Sequence, residues 1–371
     1  MRRFWILLWV QIKVWRHDPI SIAGGFIAPL ALLLAFGLLF GGRTSLVIAI
    51  LNEDAGAWGE ALRETAVSVQ SPFNEPYYQV VDWPPDAVWA AYDSFQLDAV
   101  WVIPADFSER LAAGERPSFT MHFNNYNDDR AKNHRLYAAE ILWRFYEQAG
   151  LPAPPVALAE TYPRPQMIGW FSLIGVGVAL FGVMLGSMFN IFMLTYQENV
   201  TQITLEYGLS PRSLLWALLP KALLALAMGL ATGTVLLGVL YAWTGAWPGR
   251  YLLLVLLMAG LVALSWIGIA LLMGLRARHY VAGALTAVLS GLIIFFIGGG
   301  LAPVRYATSR ITWLARLFPN YYAIDPMRDL TLFQARPDNL RMVLVILAGF
   351  SLASLTLGFG GAARILRRPQ P

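Results

Sequence analysis

The chain has 371 residues, 57% of them hydrophobic and 13% charged, with a mean hydropathy of +0.54; soluble domains carry about 25% charged residues, so an ordinary soluble protein is excluded. It contains no cysteine, which excludes disulfides, a thiol nucleophile and a thiolate metal site. The formal net charge is +4 and the pI near 9.3, but the basic residues are segregated by loop rather than gathered into a stripe, so membrane topology accounts for them and nucleic-acid binding is not expected.

The first residues, MRRFWILLWVQIKVWRH, place Arg2, Lys13 and Arg16 on one helical face and carry Trp5, Trp9 and Trp15. Residues 1–19 read as an amphipathic helix in the cytoplasmic interface, with the tryptophans at headgroup level. No small-residue cleavage site follows, as a signal peptide requires. A cytoplasmic extension of the first span is the competing reading, and Asp18-Pro19 favours a break instead.

Apolar runs at 20–41, 167–195, 214–243, 251–275, 280–301 and 342–363 are each long enough to cross a hydrocarbon core of about 30 Å. The expected fold class is a polytopic α-helical membrane protein with six transmembrane helices and an inserted α/β domain, a mixed sheet flanked by helices. The cores of these runs contain no Asp, Glu, Lys or Arg, and Lys221 lies near one end of the third. A proton- or ion-coupled transporter keeps an ionisable relay inside its bundle, so the energy is expected from elsewhere. Small residues four apart, Gly182/Gly186, Gly229/Gly233 and Gly283/Ala287/Gly291, suit close helix packing.

Orientation follows from the short loops and termini. One side holds eleven basic and three acidic residues, net +8, and is assigned to the cytoplasm together with both termini. The opposite short loops carry seven Arg, so the rule is imperfectly obeyed. Residues 42–166 are then extracytoplasmic, 196–213 a cytoplasmic loop, 302–341 an extracytoplasmic segment and 364–371 a cytoplasmic tail.

Between Arg43 and Arg164 there are 9 basic and 17 acidic residues. Alternating β-branched and aromatic residues predict strands at 45–51, 77–81, 99–103 and 119–123. Helices fit 58–69, 86–94, 105–113 and 129–149, with Gly114 and Gly150 past the ends of the last two. The proline-rich stretch 152–165 reads as a stiff link back to the membrane. Asn125, Asn127 and Asp129 have the one-three-five spacing of a calcium loop, but Arg130 and Leu136 stand where Gly and Glu are needed. A helix cap at Asp128 or Asp129 explains the cluster better.

The loop YQENVTQITLEYGLSPR between the second and third runs reads as a short helix over 200–207. Asn199 with Gln202 would start it, Gly208 would end it, and Ser210-Pro211 would open the next helix. A plain solvated loop fits the same residues. Segment 302–341 is too apolar for a simple loop: Arg305, Arg310 and Arg316 alternate with Ile311, Trp313, Leu314, Leu317 and Phe318. It reads as short helices lying at the outer interface or re-entering it, with a surface loop as the alternative.

No catalytic constellation or metal-ligand spacing stands out. None of the three lysines, Lys13, Lys132 and Lys221, sits in a G-x-x-x-x-G-K-[S/T] phosphate loop. If ATP drives this protein, a separate chain binds it.

Several segments in order carry a resemblance. LVIAILNEDAG (46–56) is a strand leading to an acidic turn, and Ile103-Pro104-Ala105-Asp106-Phe107-Ser108 with Gly114 forms a second motif. Glu198, Thr201, Leu205, Glu206 and Pro211 are similar to an E-R-E-x-G-T-x-E-x-L…P loop, without its arginine and glycine. Pro303, Pro319, Asn320, Tyr322 and Arg328 resemble a Gly/Pro turn followed by an N-P-x-x-Y-x-x-x-x-x-R-like segment. Together they resemble the permease subunit of a type-2 ATP-binding-cassette (ABC) transporter, over nearly the whole chain.

That resemblance implies a non-catalytic subunit of an ATP-driven exporter in the bacterial inner (plasma) membrane. It would move an amphipathic or hydrophobic substrate out of the cytoplasm or inner leaflet. Glu198, Thr201, Ile203, Leu205, Glu206 and Tyr207 would form the ATPase-coupling element, and Pro303, Pro319, Asn320, Tyr322 and Arg328 an outer gate. Implied partners are an ABC ATPase subunit, a second permease subunit in a homo- or heterodimer, membrane lipids and, as a further candidate, a periplasmic adaptor. No cofactor is expected on this chain; ATP and Mg would sit on the ATPase. The rival readings are a secondary transporter and a membrane-anchored sensor or scaffold that binds through its inserted domain.

Overall fold

The structure, a computed structural model, describes residues 2–40, 46–71, 74–94, 96–123, 128–150, 168–209, 213–304 and 309–366. The expectations placed on Asn125, Asn127, Ser210, Pro211, Arg305 and the 152–165 link lie outside them. The chain divides into two compact units, one of Met1–Gly42 with Ile168–Pro371 and one of Arg43–Met167.

In the first unit, α1 (Arg2–Arg16) ends before Asp18, whose carboxylate accepts the N–H groups of Ile20 and Ser21 at 3.1 and 3.3 Å. With Pro19 at the first helical position, this cap starts a separate helix rather than continuing α1. The first span runs as α2 (Pro19–Ile22), a π turn (Ala23–Ile27) and α3 (Ala28–Phe40). Pro29 cannot donate to the carbonyl of Gly25 four residues back. That oxygen instead lies 3.5 Å from the Thr232 hydroxyl on a neighbouring helix, so the widened turn has a covalent cause and an outside partner.

The remaining helices of this unit are α8 (Trp170–Val200), α9 (Ile203–Leu209), α10 (Leu215–Thr244), α11 (Leu252–Arg276) and α12 (Tyr280–Ile297), then α13 (Ser309–Ala315), α14 (Pro319–Leu332) and α15 (Leu340–Leu366). Helix α8 is apolar on every side and is the centre of the bundle, buried continuously from Ile174 to Thr195. It packs on α3, α10, α11, α12 and α14. Small residues set its approach to α10: a methyl group on Gly186 would lie 3.1 Å from the Cα of Gly229. A second close crossing, between α11 and α15, runs through Gly268 and Gly358, where a Cβ on Gly358 would lie 2.5 Å from the Cα of Gly268. Six helices among the described residues are long and apolar enough to cross a membrane, at Pro19–Phe40, Trp170–Val200, Leu215–Thr244, Gly249–Arg276, Tyr280–Ile297 and Leu340–Leu366.

The second unit carries a four-stranded sheet of order β2-β1-β3-β4, with β1 (Leu46–Asn52), β2 (Tyr78–Val81), β3 (Ala99–Ile103) and β4 (Thr120–Phe123). β1 runs parallel to β2 and β3, while β4 is antiparallel to β3, a mixed sheet. The parallel pairs need crossovers, which α4 (Ala57–Ser68) and α5 (Pro85–Asp93) supply. One sheet face packs with α4, α6 (Phe107–Ala112) and α7 (Asp128–Gln148) around Ile48, Trp101, Ile141 and Phe145. The other meets α5 around Ala49, Val88 and Val100. Gly114 and Gly150 follow α6 and α7 with φ of +76° and +66°, the left-handed conformation that ends helices.

Candidate functional site

Polar side chains in the first unit collect at two places, one around the C-terminal end of α8 and one around α14. At the first, α8 is longer than the sequence suggested. It runs to Val200, so Gln197, Glu198 and Asn199 belong to the spanning helix. Asn199 does not cap a following helix; its amide donates to the carbonyl of Leu275 at 3.2 Å. The break comes at Thr201 and at Gln202, which takes the left-handed conformation with φ of 59°. The short helix is therefore Ile203–Leu209, three residues later than expected, and Gly208 lies inside it.

The residues expected to form one docking surface are divided by this geometry. Thr201, Ile203 and Glu206 are exposed, and the Thr201 hydroxyl bonds back to the carbonyl of Gln197 at 2.8 Å. The side chain of Leu205 lies outside the described set. Glu198 and Tyr207, placed by sequence reading on the same docking surface, turn inward. Glu198 is buried and forms an ion pair with Lys221 of α10, which is 1% exposed. Glu198 also accepts a hydrogen bond from Gln11 Nε2 of α1 at 3.0 Å. Tyr207 lies with its ring centroid 4.8 Å from the Lys221 ammonium. Burial, reinforced by the adjacent Glu198 carboxylate, holds the Tyr207 hydroxyl well above the ordinary tyrosine range, so it stays protonated.

Two further contacts join α1 and its following cap to α8. Trp15, expected at headgroup level, donates its indole N–H to the buried Asn190 at 2.6 Å. Gln197 donates to the Asp18 carboxylate, also at 2.6 Å. Sequence reasoning passed over Gln11 and Asn190, and placed Lys221 near one end of the third run without giving it a partner. The Lys221 signal was present: an ammonium seven residues into an apolar run needs a carboxylate partner.

At the second place, α14 carries four of the five residues assigned to an outer gate. Pro319 occupies the first turn. Asn320 accepts the Trp266 indole N–H at 2.9 Å, and its own amide points to Met184 Sδ at 3.4 Å. Tyr322 donates its hydroxyl to the carbonyl of Arg316 at 3.1 Å. Arg328, 3% exposed, donates to the carbonyls of Leu173 and Gly300 at 3.1 and 2.9 Å and to Asp325 at 3.2 Å. Pro303 stands apart, half-buried before α13. Much of α14 is buried against α8, α11 and α15, so this segment is a packed element of the bundle.

A bundle of apolar spans interrupted by a short, partly exposed helix between the second and third, and closed by a buried polar helix before the sixth, defines a multi-pass membrane protein. A family model described as ABC-2 family transporter protein matches residues 20–359. The chain belongs to that family, whose members are membrane components of ABC transporters, and membership implies an ABC ATPase as partner. A search of curated proteins finds no match.

Proposed function

We propose that this chain is the permease subunit of an ABC exporter that moves an amphipathic or hydrophobic substrate out of the cytoplasm or the inner leaflet, driven by a separately encoded ATPase. In this reading α9 lies on the cytoplasmic side, the inserted α/β unit lies outside, and both termini are cytoplasmic. ATP and Mg are held by the ATPase, and two permease subunits form the translocation path. The observation that carries the reading is α9 itself, a two-turn helix held between two spans with Ile203 and Glu206 turned outward and Tyr207 turned inward. A helix so placed can take a load from a soluble partner and pass it to two spans.

An apolar groove supports the substrate class. It has a volume of about 230 Å³ and is lined by side chains of α1, α10, α11 and α15, among them Phe4, Leu223, Leu264 and Phe359. Such a lining suits a hydrocarbon chain or ring and offers no ligand to a small ion. The ion pair of Glu198 and Lys221 does not restore the secondary-transporter reading, because it lies near the end of α8 and the start of α10, away from the middle of the spans where a relay would run.

The test is purification of the tagged chain from its native membrane, followed by ATP-binding and hydrolysis assays with and without the co-purifying ATPase. An ABC ATPase is expected in the preparation, with hydrolysis lost when it is stripped away. Tight ATP binding by the stripped chain would overturn the reading.

A further inference from the structure

The Glu198 and Lys221 pair joins α8 to α10 and is met by two further elements. Its carboxylate receives Gln11 Nε2 from α1 at 3.0 Å, and its ammonium lies over the Tyr207 ring of α9, 4.8 Å from the centroid. Gln11 and Glu198 are 7% and 9% exposed, and Lys221 is 1% exposed. Such a pair is a poor device for stability alone, since apolar residues of similar volume often hold a bundle as well or better. What it does supply is fixed geometry, because every donor has one place to go. Helix α9 needs that: seven residues are too few to hold a helix unaided, and the left-handed Gln202 separates its backbone from α8. Side-chain ties must carry what the backbone break does not.

We propose that Gln11, Glu198, Tyr207 and Lys221 form a latch that ties α9 to α8, α10 and α1, so that a displacement of α9 moves all three together. Tyr207 is the contact by which the short helix enters the latch. Glu198 and Lys221 are positioning residues that touch neither nucleotide nor ATPase, and α1 is a moving part of the coupling machinery as well as an interfacial anchor. The latch rests on the reading of α9 as the ATPase-docking element, with Glu206 and Ile203 facing the partner.

The experiment uses the full chain with its ATPase in vesicles of phosphatidylethanolamine and phosphatidylglycerol. Spin labels at Arg310 on α13 and Leu253 on α11, both exposed, report whether ATP and vanadate change their separation. Tyr207→Leu removes the ring that lies over the ammonium, and Gln11→Leu keeps the volume and removes a donor to Glu198. Both are expected to bind the ATPase within about twofold of the unaltered chain. Both should lower the ratio of switched to unswitched populations about tenfold, which corresponds to ~1.4 kcal/mol of lost coupling. The exchange Glu198→Lys with Lys221→Glu should switch better than Glu198→Lys alone. If both mild variants bind the ATPase and switch normally, the latch is overturned while the docking reading stands. Weakened association of Tyr207→Leu with normal switching of the bound fraction would place Tyr207 on the docking surface and also overturn the latch. No association of the unaltered chain with the ATPase overturns the docking reading, and the latch with it.

Discussion

Asp54 accepts the hydroxyl of Ser108 at 2.5 Å and its backbone N–H at 3.2 Å. The two residues come from the acidic turn after β1 and from the start of α6, more than fifty positions apart. A third bond, from the Gly59 N–H at 3.0 Å, ties in the first turn of α4. One carboxylate thus joins the ends of a strand and two helices.

This arrangement makes the inserted unit acid-sensitive. Burial alone would raise the Asp54 pKa, but the bonds from Ser108 and Gly59 outweigh it and hold the value below the ordinary 3.8. A depressed carboxylate contributes stability that is fully present above the unfolded value and lost as pH falls through the folded one. In the full-length protein, the amides of Gly59 and Ser108 should keep their hydrogen-exchange protection down to about pH 4 and lose it below, after correction for intrinsic rates. Asp54→Asn should weaken protection at neutral pH by about 1–3 kcal/mol and abolish the acid step. Protection in the unaltered chain that is unchanged down to pH 2 would refute the assignment.

Arg328 should be irreplaceable by lysine. Its guanidinium serves two carbonyls on different segments, Leu173 and Gly300, and Asp325 on its own helix. A lysine ammonium is a point charge without the planar fork and cannot reach the three acceptors at once. Arg328→Lys is expected to cost about 1.5–3 kcal/mol, read as a lower melting temperature of the detergent-solubilised chain. ATPase association, which on the proposed reading depends on α9 at the other end of the bundle, should be unaffected. An unchanged melting temperature would show that the guanidinium bonds contribute nothing net.

The helix crossings give a paired test. A methyl group on Gly268 would run into the carbonyl of Ser354 across the α11–α15 contact, whereas one on Gly238 meets nothing within 4 Å. Gly268→Ala should therefore destabilise by about 1–3 kcal/mol. Gly238→Ala should be neutral or stabilising, since alanine is the better helix former. Equal melting temperatures for the two variants would mean that the α11–α15 crossing relaxes without cost.

The six spans were legible in the sequence because twenty apolar residues in a row have few other uses, and the strands of the inserted unit because β-branched residues and turns punctuate them. The acidic turn and the Ile103–Ser108 motif were each visible, but only the fold brings Asp54 onto Ser108. The end of α8 was misread because Gln197, Glu198 and Asn199 are polar, and polarity suggested a loop. Their partners, Asp18, Lys221, Gln11 and the Leu275 carbonyl, come from distant parts of the chain and satisfy them inside the helix. The small-residue pairs seen at four-residue spacing included Gly186 and Gly229, which do meet. Gly268 belongs to no such pair, the series Ser354, Gly358 and Ala362 was passed over, and the contact of Gly268 with Gly358 spans ninety residues of chain.

The outward face of α9 gives the last prediction. Glu206 is exposed and, among the described residues, has no bond that would hold it inward, and Ile203, 39% exposed, lies beside it in the same short helix. On the proposed reading the carboxylate meets a basic group of the ATPase and the isoleucine fills an apolar hollow. Glu206→Arg would then set like charges against each other. If the contact is fully buried in the complex, the loss of affinity is about 2–5 kcal/mol; if it lies at the rim, it stays near 0–1 kcal/mol. Ile203→Ala removes an apolar anchor and should weaken the same association without reversing charge. Neither change touches the Glu198 and Lys221 pair, so membrane insertion and the melting temperature of the isolated chain should be normal. The measurement is ATPase pull-down from membranes holding equal amounts of each variant, repeated at low and high salt. Because an exposed charge contact is screened by ions, the defect of Glu206→Arg should shrink at high salt while that of Ile203→Ala should not. Unaltered association for both variants would leave α9 as a solvated turn between spans.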